Sequence, residues 1–174
     1  MISADILGKI PVFHGLDAAT LGELQEVVRR VRVPAGKLIF QENETAKDIY
    51  YLESGGVRIS MRLPGHHGTV AIIRKGECFG WSALVPPHEF TAAATAMEES
   101  EVILIDGDEL RWRMKRHPEL AWRVFENLSG TISNRLSGAR VRLITLEYEQ
   151  RKENVSRKIA KDTAPSFVAP SGTA

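Results

Sequence analysis

From Val31 to Ile105 the apolar residues come in short runs of period two, separated by turn residues, and sheet is the structure that satisfies such a pattern. Val31 and Val33 alternate with Arg32, Pro34-Ala35-Gly36 turns the chain, and Leu38-Ile39-Phe40 forms a short strand. Ile49-Tyr50-Tyr51-Leu52 is a second buried run, followed by a turn at Ser54-Gly55-Gly56 and by alternation from Val57 to Leu63. Pro64-Gly65-His66-His67-Gly68 reads as a hairpin loop answered by Val70 to Ile73, and Val102 to Ile105 makes one more buried strand. About seven or eight strands, with turn signals every eight to twelve residues, imply a sandwich, barrel or jelly roll.

Helical patterns flank this β region. Ile6, Leu7, Ile10, Val12 and Phe13 predict a short helix and an apolar plug. Asp17 stands as an N-cap before Leu21, Leu24, Val27 and Val28, whose spacing predicts a helix to about Arg30. Asn43 falls where a tight turn calls for a left-handed backbone, which Asn tolerates.

After the strands, Asp106-Gly107-Asp108-Glu109 opens a helix carrying Leu110 and Met114, and Pro118 ends it near His117. A longer helix then carries Leu120, Val124, Leu128, Ile132, Leu136, Ala139, Leu143 and Leu146. From Ile132 the steps alternate between four and three, a heptad-like seam. Folding back on the β domain suits Leu120 to Leu128, and pairing with a second copy suits the later part, so a homodimer through this helix is expected. The division expected is a β domain with its N-terminal helices over 1–117, the long helix region over 118–160, and a disordered tail over 161–174, rich in Ala, Pro, Ser, Gly and Thr.

Composition narrows the function. With 43% hydrophobic and 26% charged residues the chain is of globular type, and a net charge of +1 predicts neither nucleic-acid nor membrane binding. Ten Lys/Arg against 14 Asp/Glu up to Asp106, and 13 against 8 from Gly107, make the C-terminal part mildly basic. A single cysteine, Cys78, excludes an internal disulfide and a four-thiolate metal site. The start lacks a basic, apolar leader, and no run approaches the ~20 apolar residues of a membrane span, so the expectation is a cytoplasmic protein.

The stretch from Lys75 to Met97 carries the chemistry. A strand end closed by Gly76 leads to Gly80-Trp81-Ser82-Ala83-Leu84, which can form one helical turn; Pro86-Pro87 follows, and a strand resumes from Phe90. A short helix between two strands aims backbone N–H groups at one point, an arrangement suited to an anion.

These elements, with Gly55, Gly68, Gly76 and Gly80 at the turns, resemble the cyclic-nucleotide-binding domain, and most nearly the sensor half of regulators of the catabolite-activator and fumarate–nitrate-regulator type. The resemblance runs from about Leu7 to Gln150, and its most specific parts are Ile49 to Ile59 and Gly76 to Leu84. It implies a mainly β fold with flanking α, a double-stranded β-helix or jelly-roll-like β-roll, with N-terminal helices and a long C-terminal helix. It also places a phosphate-binding cassette at Gly80 to Ala92.

Ligand-competent members carry a Glu directly after the glycine, for the ribose, and an Arg on the returning strand, for the cyclic phosphate. Here Trp81 and Phe90 stand at those positions. The residue set left is Phe79, Gly80, the backbone near Ser82 and Ala83, the Ser82 hydroxyl, Thr91 and Ala92. The two aromatic faces either stack on a flat ligand or fill the pocket. Arg140, on the long helix, either replaces the missing cation or is an exposed helix arginine. The winged helix-turn-helix of such regulators needs more than ~60 further residues, and Asn154 to Ala160 reads as the opening of its next helix before the tail, so no DNA-reading module is expected.

Other patterns carry less. Gly80-Trp81-Ser82-Ala83-Leu84 has Leu84 where a nucleophile elbow has its second Gly. His66 and His67 lack a third metal ligand, and Cys78 has no histidine close behind it for haem, as haem-sensing relatives have. Arg111 to Arg116 mixes cations with Trp112 as an RNA patch does, yet Leu110 and Met114 give that helix a buried face. With no base–nucleophile or metal constellation, neither an enzyme nor a metal site is expected. The reading is a regulatory, ligand-sensing module without a required cofactor, impaired for cyclic AMP and GMP, that acts through its dimer or an unidentified protein partner. The alternatives are an interaction protein with a plugged pocket, or a cyclic-nucleotide receptor using backbone amides and Arg140.

Overall fold

Two four-stranded antiparallel sheets make up the β region of the computed structural model, which describes residues 2–162. The first sheet has the order β1 (Val28–Val33), β8 (Ser100–Asp106), β3 (Asp48–Ser54) and β6 (Cys78–Phe79). The second has the order β2 (Leu38–Phe40), β7 (Ala93–Ala96), β4 (Gly56–Leu63) and β5 (His66–Arg74). Apart from the β4–β5 hairpin, successive strands alternate between the sheets, which is the jelly-roll course expected.

Local signals placed most elements. Asp17 caps α2 (Ala18–Leu24) by accepting from the Thr20 N–H at 2.8 Å, and Asp106 caps α3 (Gly107–Arg116) by accepting from the Glu109 N–H at 2.9 Å. Asn43 has the expected left-handed backbone, with φ 66°. The N-terminal segment forms α1 (Ala4–Leu7) and a 3-10 turn at Pro11–Phe13, with Leu7, Ile10, Val12 and Phe13 fully buried.

Four expectations need correction. The helix expected to reach Arg30 ends earlier, and β1 begins at Val28, because Val28 pairs with Ile105 at the edge of the first sheet. The hairpin loop is tighter than Pro64 to Gly68: β5 starts at His66, so His66 and His67 pair with Leu63 and Arg62 inside the ladder. Asn154 to Ala160 opens no new helix; it lies within α4 (Pro118–Asp162). The tail expected over 161–174 is corrected at its start, since Lys161 and Asp162 continue α4; the rest, 163–174, lies outside the described residues.

Two compact units result, one ending at Thr131 and the other starting at Ile132. In the first, Leu120, Val124 and Leu128 of α4 are buried, and the Asn127 Nδ2 donates to the Val12 and His14 carbonyls at 3.4 and 2.9 Å. This is the folding-back expected of those turns. In the second, Ile132, Leu136, Leu143 and Leu146 are between 36% and 58% exposed, and so lack the burial that their spacing is built for. Among the described residues, no helix is long and apolar enough to cross a membrane.

Candidate functional site

The cassette is the crossing from β6 in one sheet to β7 in the other, and it is built on Gly80. Gly80 has φ 75°, and a Cβ added there would lie 2.7 Å from the Tyr50 ring. The left-handed turn therefore brings the backbone against Tyr50 more closely than any side chain allows. Trp81–Leu84 then forms a single 3-10 turn. Ala83 and Leu84 are buried, while Trp81 and Ser82 are half-buried, with Trp81 packed on the core.

Part of the turn's backbone is engaged with itself. The Ala83 N–H donates to the Gly80 carbonyl and the Val85 N–H to the Ser82 carbonyl, each at 3.2 Å. The Ala83 N–H that sequence reasoning offered to a ligand is thus taken. On the other side, Arg111 of α3 donates to the Ala83 carbonyl and pairs with Asp108. Gly107 sits so close that an added Cβ would meet the Ala83 Cβ at 2.9 Å. The cassette turn and α3 are one packed unit.

The return limb is held by the segment before β3. The Phe90 N–H donates to the Glu44 carbonyl at 2.9 Å, the Asn43 N–H to the Phe90 carbonyl at 2.7 Å, and the Ala46 N–H to the His88 carbonyl at 2.8 Å. These bonds fix the direction of the Phe90 side chain. Its ring is 3% exposed and stacks on Phe40, with centroids 3.7 Å apart and planes 13° from parallel. Tyr50 and Phe79 complete the cluster: Phe40–Tyr50 is 5.3 Å, Tyr50–Phe79 5.0 Å and Phe40–Phe79 6.1 Å. Burial, reinforced by the charges of Asp48 and Glu44, pushes the Tyr50 phenol well above its ordinary range, as expected of a ring in this apolar setting.

Among the residues singled out from sequence, Phe79, Gly80, Trp81, Ser82, Ala83 and Phe90 come together around this turn and its aromatic floor. The strand resumes at Ala93 rather than Phe90, so Thr91, which is exposed, and Ala92 lie on the approach to β7. Arg140 is an exposed residue of α4 in the second unit. Sequence reasoning missed Phe40, Tyr50 and Arg111 as parts of the site. Only a three-dimensional pairing reveals them, since Phe40 and Phe90 are far apart in the chain. Among the described residues, no group of three or more His, Cys, Asp or Glu could hold a metal ion.

The sequence profile of the cyclic nucleotide-binding domain matches residues 30–117, just over half the chain. The chain belongs to the cyclic nucleotide-binding domain family. It is 29% identical over 152 residues to the cyclic AMP receptor protein of Thermus thermophilus, covering 87% of this chain and 68% of that protein. It is 26% identical over 156 residues to the CRP-like cAMP-activated global transcriptional regulator of Mycobacterium tuberculosis, covering 89% and 68%. The crystal structure of the Thermus thermophilus catabolite activator protein superposes with a TM-score of 0.64 at 28% identity, covering 88% of this chain and 72% of that one. The Thermus thermophilus structure thus shares the β-roll observed here.

Proposed function

We propose that the chain is a non-enzymatic regulatory module of the cyclic nucleotide-binding family whose cassette is impaired for cyclic AMP and cyclic GMP. The observation that carries this is the Phe90–Phe40 stack: a buried ring at 3.7 Å stands where the resemblance puts the phosphate's arginine. Trp81 likewise stands where it puts the ribose's glutamate. A charge-assisted hydrogen bond contributes about 1.5–3 kcal/mol. Two missing bonds therefore weaken a nucleotide complex by roughly two to four orders of magnitude. A second reading, a protein-interaction module whose pocket is permanently filled, draws on the same stack.

Calorimetric titration of the purified chain with cyclic AMP and cyclic GMP tests the first claim. No heat of binding is expected at micromolar nucleotide, and a micromolar dissociation constant for either would sink it. Mass spectrometry of small molecules released on denaturation separates the two readings. A stoichiometric co-purified ligand supports sensing, and its absence together with calorimetric silence favours the filled pocket.

The mechanism we propose runs from the cassette turn through Arg111 and Gly107 into α3, and then to a dimer formed by α4. The exposed Ile132, Leu136, Leu143 and Leu146 support such a dimer, since apolar residues at heptad spacing call for a partner. A chain truncated before Ile132 is expected to sediment as a monomer where the full chain sediments as a dimer. A dimeric truncation would mean that the seam from Ile132 onward is not the interface.

A further inference from the structure

A second opening in the β-roll lies apart from the cassette turn, between β1 at the edge of the first sheet and β2 at the edge of the second. It is a slot of about 220 Å³, lined chiefly by apolar side chains, with Arg32 and Lys37 among its lining residues. Val31 pairs with Val102 and Tyr50 with Leu104 across the first sheet, and all four residues line the slot together with Leu38. Val31 and Leu38 remain 37% and 40% exposed, which is unusual for apolar residues lining a concave surface.

One cation on this slot is available. Lys37 makes no ion pair among the described residues, whereas Arg32, two-thirds exposed, is paired with Glu101 and Glu99 at 3.7 and 3.9 Å. An apolar cleft with a cation on its lining suits one kind of occupant: an apolar body with a single negative head. A helix about 10 Å wide does not enter so small a space. At about 30 Å³ per water the slot equals roughly seven waters, the size of a chain of about eight carbons.

We propose that this slot is a binding site for a small amphiphilic monocarboxylate, its chain against Val31, Leu38 and Leu104 and its carboxylate at Lys37. This goes beyond the reading of the cassette and does not depend on it. Tyr50 is shared: the residue is part of the slot's lining, and its ring lies 5.3 Å from Phe40 and 6.4 Å from Phe90. A ligand here presses on the cluster that floors the cassette.

The test is calorimetry of the full chain with octanoate, and with 1-octanol as the uncharged probe. Saturable one-to-one binding of octanoate below millimolar concentration is expected. Leu38→Asp should weaken it by about tenfold or more, through lost apolar contact and like charge. Val31→Asp is the second variant, and both positions are exposed enough for the fold to persist, which melting curves verify. Lys37→Ala should weaken octanoate by about two- to fivefold and leave octanol unchanged. Absence of saturable octanoate binding, unaltered affinity in folded Leu38→Asp and Val31→Asp, or an equal loss for octanol in Lys37→Ala would each overturn the proposal.

Discussion

Replacing Phe90 with alanine lowers the stability of the chain by about 3–5 kcal/mol, the usual loss when a buried aromatic ring leaves a cavity. The site cannot collapse readily. Phe90 is 3% exposed, its backbone is held on both sides by Glu44 and Asn43, and its ring stacks on Phe40, itself 5% exposed and packed on Tyr50 and Phe79. Phe90→Leu keeps most of the apolar volume and should lose much less, about 1–2 kcal/mol. Urea unfolding of both variants measures the difference. A loss below about 1 kcal/mol for Phe90→Ala would show that the ring does not hold the roll together.

Gly80→Ala carries the second large effect, and Gly76 supplies its internal control. Both glycines have a positive φ, 75° and 89°, so alanine meets the left-handed penalty of about 1–2 kcal/mol at either. They differ in their surroundings: a Cβ at Gly76 meets nothing within 4 Å, whereas one at Gly80 lies 2.7 Å from the Tyr50 ring. Overpacking adds about 1–3 kcal/mol at Gly80 alone. The expected losses are therefore about 1–2 kcal/mol for Gly76→Ala and about 2–5 kcal/mol for Gly80→Ala. Equal losses would mean that Tyr50 yields freely and that the cassette is not seated on it.

These variants also mark what was legible in the sequence. The caps at Asp17 and Asp106, the left-handed Asn43 and most strands depend on a few neighbouring residues, and local pattern suffices to place them. The start of β1 does not, because Val28 continues the spacing of the preceding helix and only its pairing with Ile105 makes it strand. His66 and His67 read as loop because two polar residues after Pro-Gly suggest one, while the ladder with Leu63 and Arg62 decides otherwise. At the site, the positions of Trp81 and Phe90 were visible, but whether the aromatic faces stack on a ligand or fill the pocket was not. Nor was the partner of the Phe90 ring, which stacks on Phe40. The stack depends on a strand of the opposite limb, and no periodicity near residue 90 encodes it.

The long helix shows the same division. The seam from Ile132 and the burial of Leu120, Val124 and Leu128 both follow from spacing. Its extent to Asp162 does not, because Asn154 to Ala160 fits the start of a new helix as well as the continuation of an old one.

The central claim is that two side chains separate this cassette from a cyclic-nucleotide site. The most direct measurement compares the parent with the Trp81→Glu, Phe90→Arg double variant by melting in rising cyclic AMP. Arginine at position 90 destabilises the free variant, because the charge replaces a buried ring. Bound nucleotide should then raise its melting temperature with concentration, as any ligand of the native state does. The account predicts that dose-dependent rise for the variant and none for the parent. A variant indifferent to millimolar cyclic AMP, or a parent stabilised by micromolar cyclic AMP, would contradict it.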